Sequence, residues 1–135
     1  MLRCNFISQG FSRTGAAALL GNFIYESGHS LRPQRQQNGV PKDTGVGIAQ
    51  WAPDRQANLK KTPYPWTLRG QAQFVIAELQ KTPGLDAELR NHKAGVDQTT
   101  VDNMTDHVEQ TYENSSVPAL KQRENLARRM INGHL

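Results

Sequence analysis

The carboxyl group of Glu26 lies where a side chain could act as a general acid. A helix is predicted from a cap at Ser12 or Thr14 to about Ser27. At 100° per residue, Glu26 falls about 280° from Ala16, at the border of the apolar face. The negative end of the helix dipole and partial burial both raise the pKa of a carboxyl group there, as proton donation near neutral pH requires. The alternative is an ordinary surface glutamate at a helix end.

Glycines mark two further places where a ligand or a neighbouring element could approach the backbone. Gly21 lies in the middle of the predicted helix, where glycine costs about 1 kcal/mol relative to alanine unless something must come close. Gly45 and Gly47 precede Gln50 and Trp51, which offer amide hydrogen bonds and an aromatic face. Those groups suit a neutral sugar. A hairpin strand that enters the core is the alternative interpretation.

The wider pattern predicts a mainly α fold: a helical domain with a small β-hairpin or irregular insertion after the second helix. The insertion covers residues 29–50, where prolines and glycines break the helical period. The length fits a single domain over residues 1–135. Besides the helix that ends at Ser27, helices are predicted at 2–9, 53–61, from a cap at 67 to a stop at Pro83-Gly84, at 85–92, from 99 or 100 to about 112, and at 117–131.

Composition and charge limit the classes of partner. The net charge is +4, and no apolar run is long enough for a membrane span. The densest basic cluster is interleaved with Glu124, which predicts a solvated helix face and no nucleic-acid interface. The four histidines are far apart and Cys4 is the one cysteine, predicted to be buried, so no metal site, disulfide or cofactor is expected. The basic cluster around Glu124 consists of Lys121, Arg123, Arg128 and Arg129.

Two motifs together carry a resemblance to a known family. The first runs from Gly10-Phe11-Ser12 through Ala16-Ala17-Ala18-Leu19-Leu20-Gly21-Asn22 to Glu26-Ser27-Gly28, and the second is Gly45-Val46-Gly47-Ile48-Ala49-Gln50-Trp51. As a pair they resemble the phage tail lysozyme family, within the lysozyme-like superfamily. The similarity is sharpest over residues 10–51. It continues through Tyr112-Glu113, which resembles a Tyr-Glu pair late in the family.

The resemblance implies a helical lysozyme fold with a cleft between the catalytic helix and a small β region. It implies that Glu26 is the acid acting on the β-1,4 bond between N-acetylmuramic acid and N-acetylglucosamine in peptidoglycan. Gln50 matches a glutamine that lines the sugar cleft of lytic transglycosylases and goose-type lysozymes. Asn22, Tyr112 and Trp51 are further candidates for sugar contact, and core packing is the alternative for Tyr112.

The sequence leaves open which residue would supply a second catalytic carboxylate. Asp43 is the acidic residue between His29 and Gln50 and is the candidate for a hydrolase, with a turn residue as its alternative. A lytic transglycosylase that uses Glu26 alone is the second interpretation, and a non-catalytic wall-binding or tail structural protein is the third. No signal peptide is visible, so we expect a protein made in the host cytoplasm that acts on the wall after release or as a virion component. We also expect a monomer.

Overall fold

The described part of the chain contains seven α-helices and one π-helical segment, joined by turns and loops. The structure, a computed structural model, describes residues 2–28, 30–33, 45–115 and 117–132. Over those ranges it contains no β-strand, and an isolated antiparallel bridge joins Val46 to Trp51. The mainly α class is therefore confirmed. The predicted hairpin is not seen, and residues 34–44 of the insertion lie outside the described ranges. The elements are α1 (Leu2–Ser8), α2 (Arg13–Ser27), α3 (Pro53–Lys60), α4 (Leu68–Leu79), α5 (Pro83–Leu89), α6 (Gln98–His107), the π-helical segment (Val108–Glu113) and α7 (Leu120–Asn132).

Helix α2 is the centre of the core. Ser12 caps it, since its Oγ accepts a hydrogen bond from the Gly15 amide at 2.9 Å and donates one to the Leu89 carbonyl at 2.9 Å. Every residue from Thr14 to Ile24 is buried, because α1, α5, α6 and α7 all pack around this helix. The apolar face predicted for α2 is thus only part of what is buried. The helix is enclosed on all sides up to its last turn.

Gly21 is the point where α7 crosses α2. A Cβ atom built on Gly21 would lie 2.8 Å from the Cβ of Ala127 and 2.8 Å from the carbonyl oxygen of Arg123. The predicted close approach to this glycine is therefore made by the backbone of α7. That crossing brings the side chain of Arg123 to the end of α2.

Several helix ends differ from the sequence prediction for local reasons. A glycine that follows a helix usually adopts the left-handed helical conformation, whereas Gly28 combines a φ of 87° with an extended ψ of 169°. Pro83 opens α5 instead of closing α4, because proline fits the first turn of a helix. The cap of α6 is Asp97, whose Oδ1 accepts a hydrogen bond from the Thr100 amide at 3.0 Å.

Helix α1 shows how burial selects one face. Leu2 and Phe6 are four residues apart and share the buried face. Cys4 lies about 200° around the helix from each of them. The prediction of a buried thiol is wrong, and Cys4 is exposed.

The π-helical segment is a feature that the sequence pattern did not reveal. The Asn114 amide donates to the Glu109 carbonyl at 2.5 Å, five residues back instead of four, and Asn114 itself is left-handed (φ 47°, ψ 48°). The wider turn changes the direction of the side chains that follow α6. Such segments are frequent at functional sites, and this one ends at Glu113.

Candidate active site

A cavity of about 390 Å³ lies at the C-terminal end of α2. Its walls come from α2, the turn at residues 45–52, α3, the end of the π-helical segment and α7. Charged and polar side chains dominate the described lining, so the cavity suits a polar ligand. The charged and amide groups among them are Glu26, Gln50, Arg55, Glu113, Asn114 and Arg123.

Glu26 and Arg123 form the ion pair at one end of the cavity. Arg123 Nη2 donates to Glu26 Oε1 at 2.6 Å, with 0% of the arginine side chain and 14% of the glutamate side chain exposed. Burial raises the pKa of Glu26, the hydrogen bond and charge of Arg123 lower it, and the charge of Glu109 raises it again. The net direction is upward, so Glu26 keeps its proton to a higher pH than an ordinary glutamate.

Four other groups hold the Arg123 guanidinium in place. It donates to Asn22 Oδ1 at 3.1 Å, to Ser115 Oγ at 2.8 Å and to the Pro118 carbonyl at 2.6 Å. It also stacks on Tyr25, with 4.4 Å between the guanidinium carbon and the ring centroid. Because these contacts fix the donor, they also fix the orientation of the Glu26 carboxyl group.

Glu113 supplies a second carboxyl group to the same cavity. Its Oε1 atom is buried and has no hydrogen-bond partner among the residues that the structure describes. Burial raises the pKa of Glu113 well above its usual value, and the charge of Glu26 adds to the rise, whereas Arg123 and Arg55 oppose it. The two carboxyl groups therefore interact, and protonation of one affects the other.

Gln50 lines the cavity from the turn at residues 45–52, in a strained backbone conformation. Its φ of 50° is in the left-handed region, which costs a non-glycine residue about 1–2 kcal/mol. Its Nε2 donates to the Gly47 carbonyl at 2.9 Å. A Cβ atom on Gly45 would lie 2.4 Å from the Gln50 carbonyl oxygen, which explains why residue 45 is glycine. The turn is built so that Gln50 lines the cavity.

Comparison with protein-family models matches residues 3–133 to the phage tail lysozyme family. The chain belongs to that family. The resemblance seen in the sequence is therefore confirmed over nearly the whole chain. A search of curated proteins found no relative that matches significantly. Membership indicates a lysozyme-like, peptidoglycan-degrading protein.

Trp51 and Tyr112 support the walls of the cavity in this phage tail lysozyme. Both are buried, and neither is among its described lining residues. Trp51 Nε1 donates to Glu78 Oε1 at 3.0 Å, and the Tyr112 hydroxyl donates to the same oxygen at 2.6 Å. Arg55 donates to both Glu78 carboxylate oxygens and to the Tyr112 carbonyl, at 2.8 to 3.0 Å. This network ties the turn that carries Gln50 to the segment that carries Glu113.

Two other sequence candidates lie away from the cavity surface or outside the described ranges. Asn22 is fully buried, and its Nδ2 donates to the carbonyls of Ala18 and Thr105. It reaches the cavity indirectly, through Arg123. Asp43 lies outside the described residues.

No group of three or more metal-binding side chains is placed to hold a metal ion in the part of the lysozyme that the structure describes. No described helix is long and apolar enough to span a membrane.

Arg123 is the site residue that the charge pattern concealed. The prediction of a solvated face is wrong for Arg123, which is fully buried, whereas Lys121 and Arg129 are exposed. The missed signal is its spacing from two buried residues of α7. Arg123, Ala127 and Ile131 recur every fourth residue and so lie on one face, which packs against α2.

Proposed function

We propose that this phage tail lysozyme is an N-acetylmuramidase. It would hydrolyse the β-1,4 bond between N-acetylmuramic acid and N-acetylglucosamine, as a monomer acting on the wall after release or as part of a virion. One observation carries the proposal: the acidic residues Glu26 and Glu113 both line one cavity. A pair of carboxyl groups flanking the scissile bond is the usual machinery of glycoside hydrolases. Family membership supports the substrate class.

Glu26 is the general acid in this proposal. Its raised pKa keeps a proton available, and it donates that proton to the glycosidic oxygen as the bond breaks. The carboxylate left behind gains the full charge interaction with Arg123, whose guanidinium is already 2.6 Å away. Arg123 therefore stabilises the product of proton transfer and requires no rearrangement to do so.

Glu113 is the second carboxyl group, which faces the positive charge that develops on the sugar ring. Because the charge of Glu26 raises the pKa of Glu113, the two groups favour a state with one acid and one carboxylate. A cationic transition state beside Glu113 favours its ionised form, and in that form Glu26 is the group that carries the proton. Asp43 is the rival second carboxylate, on sequence grounds.

Gln50, a further lining residue, positions the sugar through its side-chain amide in this proposal. Asn22 acts through Arg123, while Trp51 and Tyr112 act through the network on Glu78. These three residues would influence the reaction by holding the acid and the walls in place. Their substitution is therefore expected to alter stability as well as rate.

Clearing of purified cell walls, with mass spectrometry of the released fragments, tests the proposed function. A hydrolase releases reducing N-acetylmuramic acid ends. Release of 1,6-anhydro ends would show a transglycosylase, in which the 6-hydroxyl of the muramic acid attacks instead of water. A folded protein that releases no fragments would contradict an enzymatic function and favour a wall-binding or structural one.

Paired variants identify the second carboxylate. We expect Glu113→Gln to reduce the rate of wall cleavage by at least about 100-fold, because it removes a charge from the transition state. Asp43→Asn should reduce the rate by less than about tenfold, or 1.4 kcal/mol. Glu88→Gln is the matched control, since its carboxylate contacts His107 and is not a described lining group. The reverse order of effects would assign the role to Asp43.

A further inference from the structure

A second, larger cavity lies at the start of α4, where the chain exposes aromatic side chains. The cavity measures about 480 Å³, and Tyr64, Arg69 and Gln73 are among its described lining residues. Tyr64 is 68% exposed, and Trp66, two residues on, is 36% exposed. We call Tyr64, Trp66 and this cavity the aromatic platform. Two large aromatic side chains are thus exposed two positions apart in the chain, and one of them lines the cavity, which makes this region a candidate binding surface.

The backbone beneath the aromatic platform is held firmly. The Thr67 hydroxyl donates to the Tyr64 carbonyl at 3.1 Å and accepts from the Gly70 amide at 3.0 Å. A Cβ atom on Gly70 would lie 1.8 Å from the Tyr64 carbonyl oxygen, so only glycine allows this packing. Gln71 Nε2 donates to the Pro65 carbonyl at 2.8 Å. The segment is thus ordered before any ligand arrives, which lowers the entropy cost of binding.

Gln71 also connects the aromatic platform to the turn that forms the wall of the active site. Its Oε1 accepts a hydrogen bond from the Ile48 amide at 3.0 Å, while its Nε2 bonds Pro65. Ile48 belongs to the same turn as Gln50, which lines the catalytic cavity. One buried side chain therefore spans the distance between the backbone of the turn and the backbone of the platform.

The lining chemistry of the platform fits an N-acetylated glycan that carries carboxylates. Aromatic faces pack against the apolar C–H face of a sugar ring. The Gln73 amide and the Arg69 guanidinium can donate hydrogen bonds to acetamido oxygens. Arg69 is exposed and has no ion-pair partner among the described residues, so its charge is available to a lactyl or stem-peptide carboxylate.

We infer that the aromatic platform is an accessory binding site for the peptidoglycan glycan strand, separate from the catalytic cavity. The inference rests on the proposed function for its choice of ligand. The platform would retain the polymer between cleavage events, and short substrates would not need it.

Tryptophan fluorescence tests binding without any need for catalysis. The chain has two tryptophans, and Trp51 is fully buried, so the part of an emission change that Trp66→Phe removes is assigned to Trp66. The probe is the pentasaccharide of N-acetylglucosamine, added to the Glu26→Gln protein. We expect a saturable change that disappears in Trp66→Phe and that needs at least about fivefold more ligand in Tyr64→Ala. Val96→Ala, another exposed apolar residue, is the matched control and should leave the titration unchanged.

Sedimentation with purified cell walls separates this inference from the proposed function. We expect Tyr64→Ala to bind walls at least about fivefold more weakly and to clear them more slowly, with unchanged kcat/KM on a soluble tetrasaccharide. Wall binding that depends on Tyr64 in a protein that cleaves nothing would overturn the proposed function and support the platform. The platform would be overturned if the protein cleaves walls, Tyr64→Ala leaves its wall binding unchanged, and the emission of Trp66 does not change when the glycan is added.

Discussion

The substitution Glu26→Gln separates the chemistry of this carboxyl group from its part in the fold. The amide keeps the shape of the side chain and an oxygen that can accept from Arg123, now 2.6 Å away. It loses the transferable proton and the charge. We expect the rate of wall cleavage to fall about 1,000-fold, within the range of general acid catalysis. A variant that clears walls within a few-fold of the wild-type rate would remove Glu26 from the role of acid.

The effect on stability depends on which of two electrostatic costs is larger. Breaking a buried ion pair typically costs about 3–5 kcal/mol, because it leaves one charge uncompensated. Here the guanidinium of Arg123 keeps three other acceptors, on Asn22, Ser115 and Pro118. Moreover, the raised pKa of Glu26 means that the folded state favours the neutral carboxyl group. A neutral amide at this position is therefore compatible with the fold.

The pH dependence of the stability follows from the upward shift of the Glu26 pKa. The stability that protonated Glu26 contributes is complete below the ordinary glutamate value of 4.5 and is lost as the pH rises through the raised, folded-state pKa. Glu26→Gln is neutral at every pH, so its melting temperature should match the wild type near pH 4 and equal or exceed it at pH 7. A loss of 3–5 kcal/mol would instead lower the melting temperature by about 10–20 °C. Thermal unfolding at both pH values distinguishes these outcomes, and a drop of that size at pH 7 would refute the reasoning.

Two further predictions concern backbone strain and a second acidic group. Gln50→Ala should reduce the rate of cleavage by less than Glu26→Gln does. Gln50→Gly should have a melting temperature equal to or above that of Gln50→Ala, because glycine relieves the strain of the positive φ of 50°. A lower melting temperature for the glycine variant would show that the backbone at position 50 is not strained. Burial and a hydrogen bond that protonated Glu124 donates to Asp106 raise the pKa of Glu124 to about 7, so wild-type stability should fall between pH 4.5 and 7. Glu124→Gln should then raise the melting temperature at pH 8 but not at pH 4. Equal differences at the two pH values would show that Glu124 titrates normally.

The sequence was sufficient to predict the approximate positions of the α-helices and the place of Glu26 near the end of α2, because both depend on local periodicity. The cap at Ser12, the first helical turn at Pro53 and the end of α2 at Gly28 are set by neighbours in sequence. Position on the helix also predicted the partial burial of Glu26, of which 14% is exposed. What periodicity could not show is which elements meet at that helix end.

The π-helical segment illustrates the limit most clearly. The Glu109 carbonyl of this segment bonds the amide five residues on instead of four, and the change of register alters where Tyr112 and Glu113 point. A helical wheel continued from Val101 places Tyr112 on the core stripe, and Tyr112 is indeed buried. The same wheel gives no reason to bring Glu113 into a cavity with Glu26. Long-range contacts to Arg55 and Glu78 select the register.

The electrostatics of the candidate site also depend on a contact made far from its surface. Gly21 has no side chain, so α7 can approach α2 closely enough for Arg123 to reach Glu26. A Cβ atom at position 21 would meet Ala127 and the Arg123 backbone at 2.8 Å, and the two helices would have to separate. A glycine in the core and a buried arginine one helix away thus act together to orient the acid. The mid-helix glycine that looked costly in the sequence is compensated by this placement of Arg123.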